Sequence, residues 1–186
     1  MGLLREGINE IIATTGGNAA PIGIVVRNGN PGMVLFRGSH TSENVETRGW
    51  VVANFVFDPV LYVITAFDDL PEGSFVEEQA GGYTVERLAS CEAWAAFSAT
   101  VEKKTRDVLV VGLSLLEESS KGIVLHPVNR GFNSIIEATV HGTRYNRSRS
   151  PELLSLIEHH AGIVGKCGGP KEKEALDLLF DYIGYP

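Results

Sequence analysis

The chain has 186 residues, of which 44% are apolar and 21% charged, and its formal net charge is −7. That balance supplies a globular core and excludes a disordered chain, while the acidic surface excludes a nucleic-acid backbone as a partner. Cys91 and Cys167 form no CxxC pair, no apolar run reaches the ~20 residues of a membrane span, and Arg5, Glu6 and Glu10 interrupt any leader-like start, so a cytoplasmic protein without disulfides or a membrane partner is expected.

In chain order, residues 8–14 are rich in β-formers and end at a turn, Gly16-Gly17-Asn18. Residues 22–27 and 33–37 are two short apolar strands around Asn28-Gly29-Asn30-Pro31-Gly32, which reads as a five-residue hairpin loop. A short helix is expected over 41–48 with Ser39 or Thr41 as its N-cap, then a buried strand over 50–57. Asp58-Pro59 opens another short helix, with Asp as cap and Pro in the first turn. Gly81-Gly82 marks a loop, and residues 83–88, 94–103 and 108–116 supply further strands.

From Asn129 the period changes. Phe132, Ile135, Ile136, Val140 and Tyr145 recur at helical spacing. Ser150-Pro151 starts a second helix with Leu153, Leu154, Ile157 and His160 on one face, and Pro170 starts a third with Ala175, Leu178, Leu179 and Ile183 inward. Strands followed by helices predict an α+β fold: a closed barrel of about six antiparallel strands over residues 1–128 and a C-terminal helical appendage over 129–186.

The segment Arg37-Gly38-Ser39-His40-Thr41-Ser42-Glu43-Asn44 leaves a strand and enters a helix. A helix N-terminus offers unpaired N–H groups and partial positive charge to an anion. Ser39 and Thr41 add hydroxyls, Arg37 adds a planar fork for two phosphate oxygens, and Gly38 lets a ligand approach the backbone. The same residues equally suit a plain helix cap with Arg37 paired to a surface carboxylate. Other motifs fail. Gly165-Lys166-Cys167 lacks the rest of a phosphate loop, and Gly112-Leu113-Ser114-Leu115-Leu116 lacks the second glycine of a nucleophile elbow. No GxGxxG follows a strand, and His126, His141 and the adjacent His159 and His160 show no metal spacing, so no metal site is expected.

Residues 16–59 resemble the flavin reductase-like branch of the FMN-binding split barrels, through Asn18-Ala19-Ala20-Pro21, the Arg37–Asn44 segment and Val51-Val52-Ala53-Asn54. The whole chain resembles a mainly archaeal family of unknown function with that fold. The shared features are Gly7-Ile8-Asn9-Glu10, the Asn18–Gly23 turn, Asn129-Arg130-Gly131 and Ile136-Glu137-Ala138. The resemblance implies an FMN cofactor. Asn18, Ala20, Pro21 and Ile22 would face the flavin ring from a turn. Arg37, Gly38, Ser39, His40, Thr41 and Asn44 would surround its phosphate and ribityl chain, and Asn54 would stand nearby. It further implies a homodimer with flavin at the interface and a nicotinamide or another small molecule as electron donor. A flavin-dependent oxidoreductase is the first expectation, with no catalytic side chain named. A flavin carrier and a cofactor-free interaction module are the alternatives. Arg130 stays open as an anion ligand, and Arg144, Arg147 and Arg149 read as a solvated helix C-terminus.

Overall fold

Gly16 and Gly17, at φ 59° and 76°, take the left-handed conformation that a two-residue hairpin turn demands. They join β1 (Gly7–Thr15) to β2 (Asn18–Arg27), with Thr15 opposite Asn18. The computed structural model describes residues 2–122 and 124–185. Asn28 and Gly29, at φ 51° and 79°, form a second turn of the same kind into β3 (Asn30–Phe36). The expected five-residue loop is therefore a two-residue one. Asn30, Pro31 and Gly32 belong to the strand, because only the two positions before them need positive φ.

The chain divides into two units. One runs to Val56 and resumes from Leu70 to Val124; the other comprises Phe57–Asp69 and the chain from Leu125 onward. The first unit is a closed antiparallel barrel in the order β1-β2-β3-β8-β7-β4, as the strand pattern led us to expect. It is completed by β4 (Trp50–Phe55), β7 (Ala93–Lys104) and β8 (Val108–Ser120). Ile11, Ile24, Met33, Leu35, Phe97 and Leu109 fill its interior. A separate two-stranded sheet pairs β5 (Phe75–Ala80) with β6 (Tyr83–Leu88) across Gly81 and Gly82. The strand β5 escaped the sequence reading because a third of it is acidic and it fully buries only Ala80. Cys91 lies beside this sheet, and burial raises its thiol pKa against the opposing pull of Arg87, which disfavours the reactive thiolate.

In the second unit α2 (Pro59–Phe67) is capped by Asp58, whose side chain accepts from Val60 N at 3.1 Å. It packs with α3 (Arg130–Ser148), α4 (Pro151–Cys167) and α5 (Pro170–Ile183) around Val63, Ile135, Ile157, Val164, Leu179 and Ile183. The inward face of α3 carries Gly131, Ser134, Ala138, Thr139 and Gly142 beside Ile135 and Tyr145, whereas Val140 points outward at 37% exposure. Small residues let the helices approach closely, which the spacing of large apolar residues did not reveal. The buried Glu172 ties two helix starts together: its carboxylate accepts from Gly169 N at 2.8 Å and from Asn129 Nδ2 at 3.2 Å. Arg149 is not simply solvated. It ends α3 at φ 53°, lies over the Tyr145 ring and donates to the Ile183 carbonyl at the end of α5. His141 of α3 and His160 of α4 stack with centroids 5.7 Å apart. Burial foremost, then the neighbouring His141, holds His160 below the usual imidazole pKa.

Candidate functional site

The candidate site lies within the barrel unit, where the β1–β2 turn meets α1 (His40–Arg48). Ser39 is the N-cap. Its hydroxyl accepts from Ser42 N at 3.2 Å and donates to the Phe36 carbonyl at 2.8 Å. That leaves Ser39 a structural cap with its hydroxyl proton already engaged. The N–H groups of His40 and Thr41 occupy the first turn, where a helix supplies no carbonyl partner. Gly38 precedes them at φ 79°, and a Cβ built there would meet nothing within 4 Å. The backbone approach to the helix start is therefore open, with the positive end of the helix dipole behind it.

Thr41 is 3% exposed, and its hydroxyl accepts from Asn18 Nδ2 at 2.9 Å. A hydroxyl that accepts in this way still has its own proton to donate. Asn44, one turn later, donates to the Thr15 carbonyl at 2.7 Å. Arg48 lies across Gly16, where an added Cβ would fall 2.4 Å from its Nε. Together Asn18, Thr41, Asn44 and Arg48 hold the β1–β2 turn against one face of α1. The sequence reading missed Arg48, although its spacing of seven residues from Thr41 and four from Asn44 sets all three on that face. Arg37 is exposed. Its Nη1 donates to the Thr105 carbonyl at 3.3 Å rather than to a carboxylate, so the rest of the guanidinium fork faces solvent. His40 is exposed at the first helical position.

Asn18, Ala20, Pro21 and Ile22 belong to a strand and not to the expected turn. Ala20 pairs with Ala13, Pro21 with Ile12 and Ile22 with Ile11. On its other side β2 pairs with β3 only at Val25, Val26 and Arg27. The first half of β2 thus presents an unpaired backbone edge beside Thr41, and Pro21, which has no N–H to donate, suits such an edge. Asn54 lies in register with Pro21 across Ile12 of β1. It is fully buried in β4, where its Nδ2 donates to the Ile12 carbonyl and to Thr14 Oγ1, both at 2.9 Å, and its Oδ1 accepts from Leu88 N at 2.7 Å. Its amide fastens β1 and β6 to β4. The structure therefore brings together Asn18, the edge at Ala20–Ile22, Gly38, Thr41 and Asn44, with Arg37 and His40 at the rim.

Among known proteins, the chain is similar to an FMN-bound protein of Methanosarcina mazei, at 41% identity and a TM-score of 0.91, covering 96% of each chain. It is 27% identical to an uncharacterized protein of Methanocaldococcus jannaschii over 92% of this chain and 96% of that one. The chain is also similar to 2-nitrobenzoate 2-nitroreductase of Pseudomonas fluorescens at a TM-score of 0.50 and 13% identity, over 64% of this chain and 68% of that one, a likeness of fold alone. One family model, for an N-terminal domain, matches residues 9–121 and its companion matches 129–181, and the chain belongs to the family they describe, the protein of unknown function DUF447.

Proposed function

We propose that this chain binds FMN and uses it as a redox group. The observation that carries the reading is the likeness to the FMN-bound protein of Methanosarcina mazei along nearly the whole chain. The residues of this chain fit the group. The N–H groups of His40 and Thr41 at an open helix start and the Thr41 hydroxyl proton suit a phosphate dianion, with the exposed Arg37 guanidinium of the same segment as a further donor. The unpaired edge at Ala20–Ile22 offers backbone groups to the polar rim of a flavin ring. Asn18 and Asn44 hold that edge and the helix start in register. When bound, a flavin supplies hydride and electron transfer; the protein's part is binding, orientation and exclusion of water.

The test is a titration of apoprotein with FMN, FAD and riboflavin, followed by absorption and fluorescence. FMN is expected to bind at least ~10-fold more tightly than riboflavin, and Arg37→Ala to weaken FMN by ~1–3 kcal/mol while leaving riboflavin unchanged. Equal affinity for FMN and riboflavin would remove the phosphate site. Reduction of bound FMN by NADH or NADPH well above the free-flavin rate selects the oxidoreductase; no acceleration by either leaves a flavin carrier.

A homodimer completes the proposal. Val34 and Phe36 stand outward on β3 at 54% and 64% exposure, beside Val110 and Val108 of β8 in the strand register. Such an apolar stripe on an outer barrel wall suits burial against a second copy. Sedimentation equilibrium is expected to give twice the chain mass, and Phe36→Glu to give the monomer. A monomeric parent protein that holds FMN at full affinity would refute the dimer.

A further inference from the structure

A second cluster of chemistry lies in the helical unit and shares no residue with the candidate flavin site. Glu137 and His141 are four residues apart on α3, so both side chains leave one face of that helix. His160 of α4 meets them there. One donor atom from each of the three residues lies within 4.8 Å of the other two. The Nδ1 atoms of His141 and His160 are both buried and without a hydrogen-bond partner. Buried polar atoms are nearly always bonded, and two unsatisfied imidazole nitrogens side by side call for a shared explanation. The rings do not supply it to each other, since they face at a centroid distance of 5.7 Å with no hydrogen bond between them.

We propose that Glu137, His141 and His160 bind a divalent transition-metal ion of the zinc type, which ties α3 to α4. Two imidazoles and one carboxylate form a donor set suited to Zn²⁺ and its first-row neighbours, whereas Mg²⁺ and Ca²⁺ favour all-oxygen sites. Donor atoms around a tetrahedral zinc stand roughly 3.4 Å apart, given metal–ligand bonds of about 2.0–2.2 Å. Closing from a mutual separation of up to 4.8 Å asks for inward movement of about 1 Å, within the reach of small side-chain rotations. Glu137 is exposed, so an ion enters from solvent without opening the helices. Three protein ligands leave the fourth position to water. The ion binds the folded arrangement and not the unfolded chain, so its effect is to stabilise the helical unit.

The experiment is a calorimetric titration of the full-length, FMN-loaded, chelator-washed protein with ZnCl₂, with MgCl₂ as comparison, alongside thermal unfolding with and without excess zinc. One Zn²⁺ per chain is expected at micromolar affinity or better, with a raised melting temperature and no saturable heat from Mg²⁺. His141→Gln and His160→Gln should each weaken zinc ~100-fold or more, beyond the ~10–100-fold that follows loss of an outer-shell partner. Glu137→Gln, at an exposed position where folding is not in question, should weaken it at least ~10-fold. His159 neighbours His160 but is not one of the three, and His159→Gln should leave affinity unchanged. No saturable zinc binding by the parent protein overturns the proposal. So does binding that survives both Glu137→Gln and His160→Gln, or that is lost equally in His159→Gln.

Discussion

Gly131→Ala is expected to destabilise the helical unit by ~2–3 kcal/mol, although helix propensity alone favours alanine over glycine in a helix by about 1 kcal/mol. Gly131 is the second residue of α3, and its backbone N–H donates to the capping Asn129 Oδ1 at 2.8 Å. A Cβ placed there would stand 2.6 Å from Gly168 Cα and 2.8 Å from Gly168 N. Both neighbours are backbone atoms at the α4–α5 junction, so no side chain can turn away to make room. Gly168 is hemmed in as well, since its own Cβ would meet the Val164 carbonyl at 2.8 Å and Glu172 Cβ at 2.9 Å. Relief requires the start of α3 to part from the junction that the buried Glu172 carboxylate holds through Gly169 N and Asn129 Nδ2. Urea unfolding followed by circular dichroism measures the loss. Gly162→Ala is the matched control: that glycine lies exposed inside α4 with nothing within 4 Å of an added Cβ, and the change is expected to stabilise by ~0.5–1 kcal/mol. If both variants shift stability the same way, the close approach at Gly131 does not limit the packing.

The contrast between those two glycines bears on how much of the molecule its sequence discloses. Local signals carried through. Asp58-Pro59, Ser150-Pro151 and Ser39 each cap the helix they announced, because a cap is a bond between residues two or three apart. The Gly16-Gly17 and Gly81-Gly82 pairs turn where they stand because positive φ is a property of the residue itself. The inward face of α3 did not carry through. A stripe of glycine, serine, alanine and threonine has no strong apolar period, and what makes it a face is the neighbouring helix that fits against it. His141 and His160 read as unrelated histidines for the same reason, since nineteen positions separate them and only the α3–α4 packing joins them.

In the candidate site the helix start and its glycine were legible, while the partners of each side chain were not. Ser39 and Thr41 looked equivalent as hydroxyls. The structure engages the proton of the first in the cap and leaves that of the second free, because Asn18 arrives from the start of a distant strand as a donor. Pro21 suggested a turn by type, yet strands accept proline along an unpaired edge, and that edge became visible only with the barrel register. The position of Arg48 over Gly16 rests on the docking of the β1–β2 turn against α1, a long-range event with no local trace.

Asn54 separates these two kinds of information most sharply. A resemblance of motif implies a place near a flavin for it, and the structure adds that it is completely buried and its amide engaged on both ends. Asn54→Ala is expected to lower stability by ~2–4 kcal/mol, since it strands the N–H of Leu88 and removes the donor from the Ile12 carbonyl and Thr14 Oγ1, all with little access to water. Asn54→Asp should be at least as damaging at pH 7. It retains an acceptor for Leu88 N, but it turns a second carboxylate oxygen toward the Ile12 carbonyl and asks for a buried charge. Lowering the pH would protonate that carboxyl, restore one donor and recover part of the loss, so the Asp variant should gain stability on the parent between pH 7 and pH 5 while the Ala variant keeps a constant deficit. FMN affinity measured below the unfolding transition should be little changed in Asn54→Ala. A variant that melts within a degree or two of the parent yet loses FMN by tenfold would return Asn54 to the ligand and remove it from the framework of the barrel.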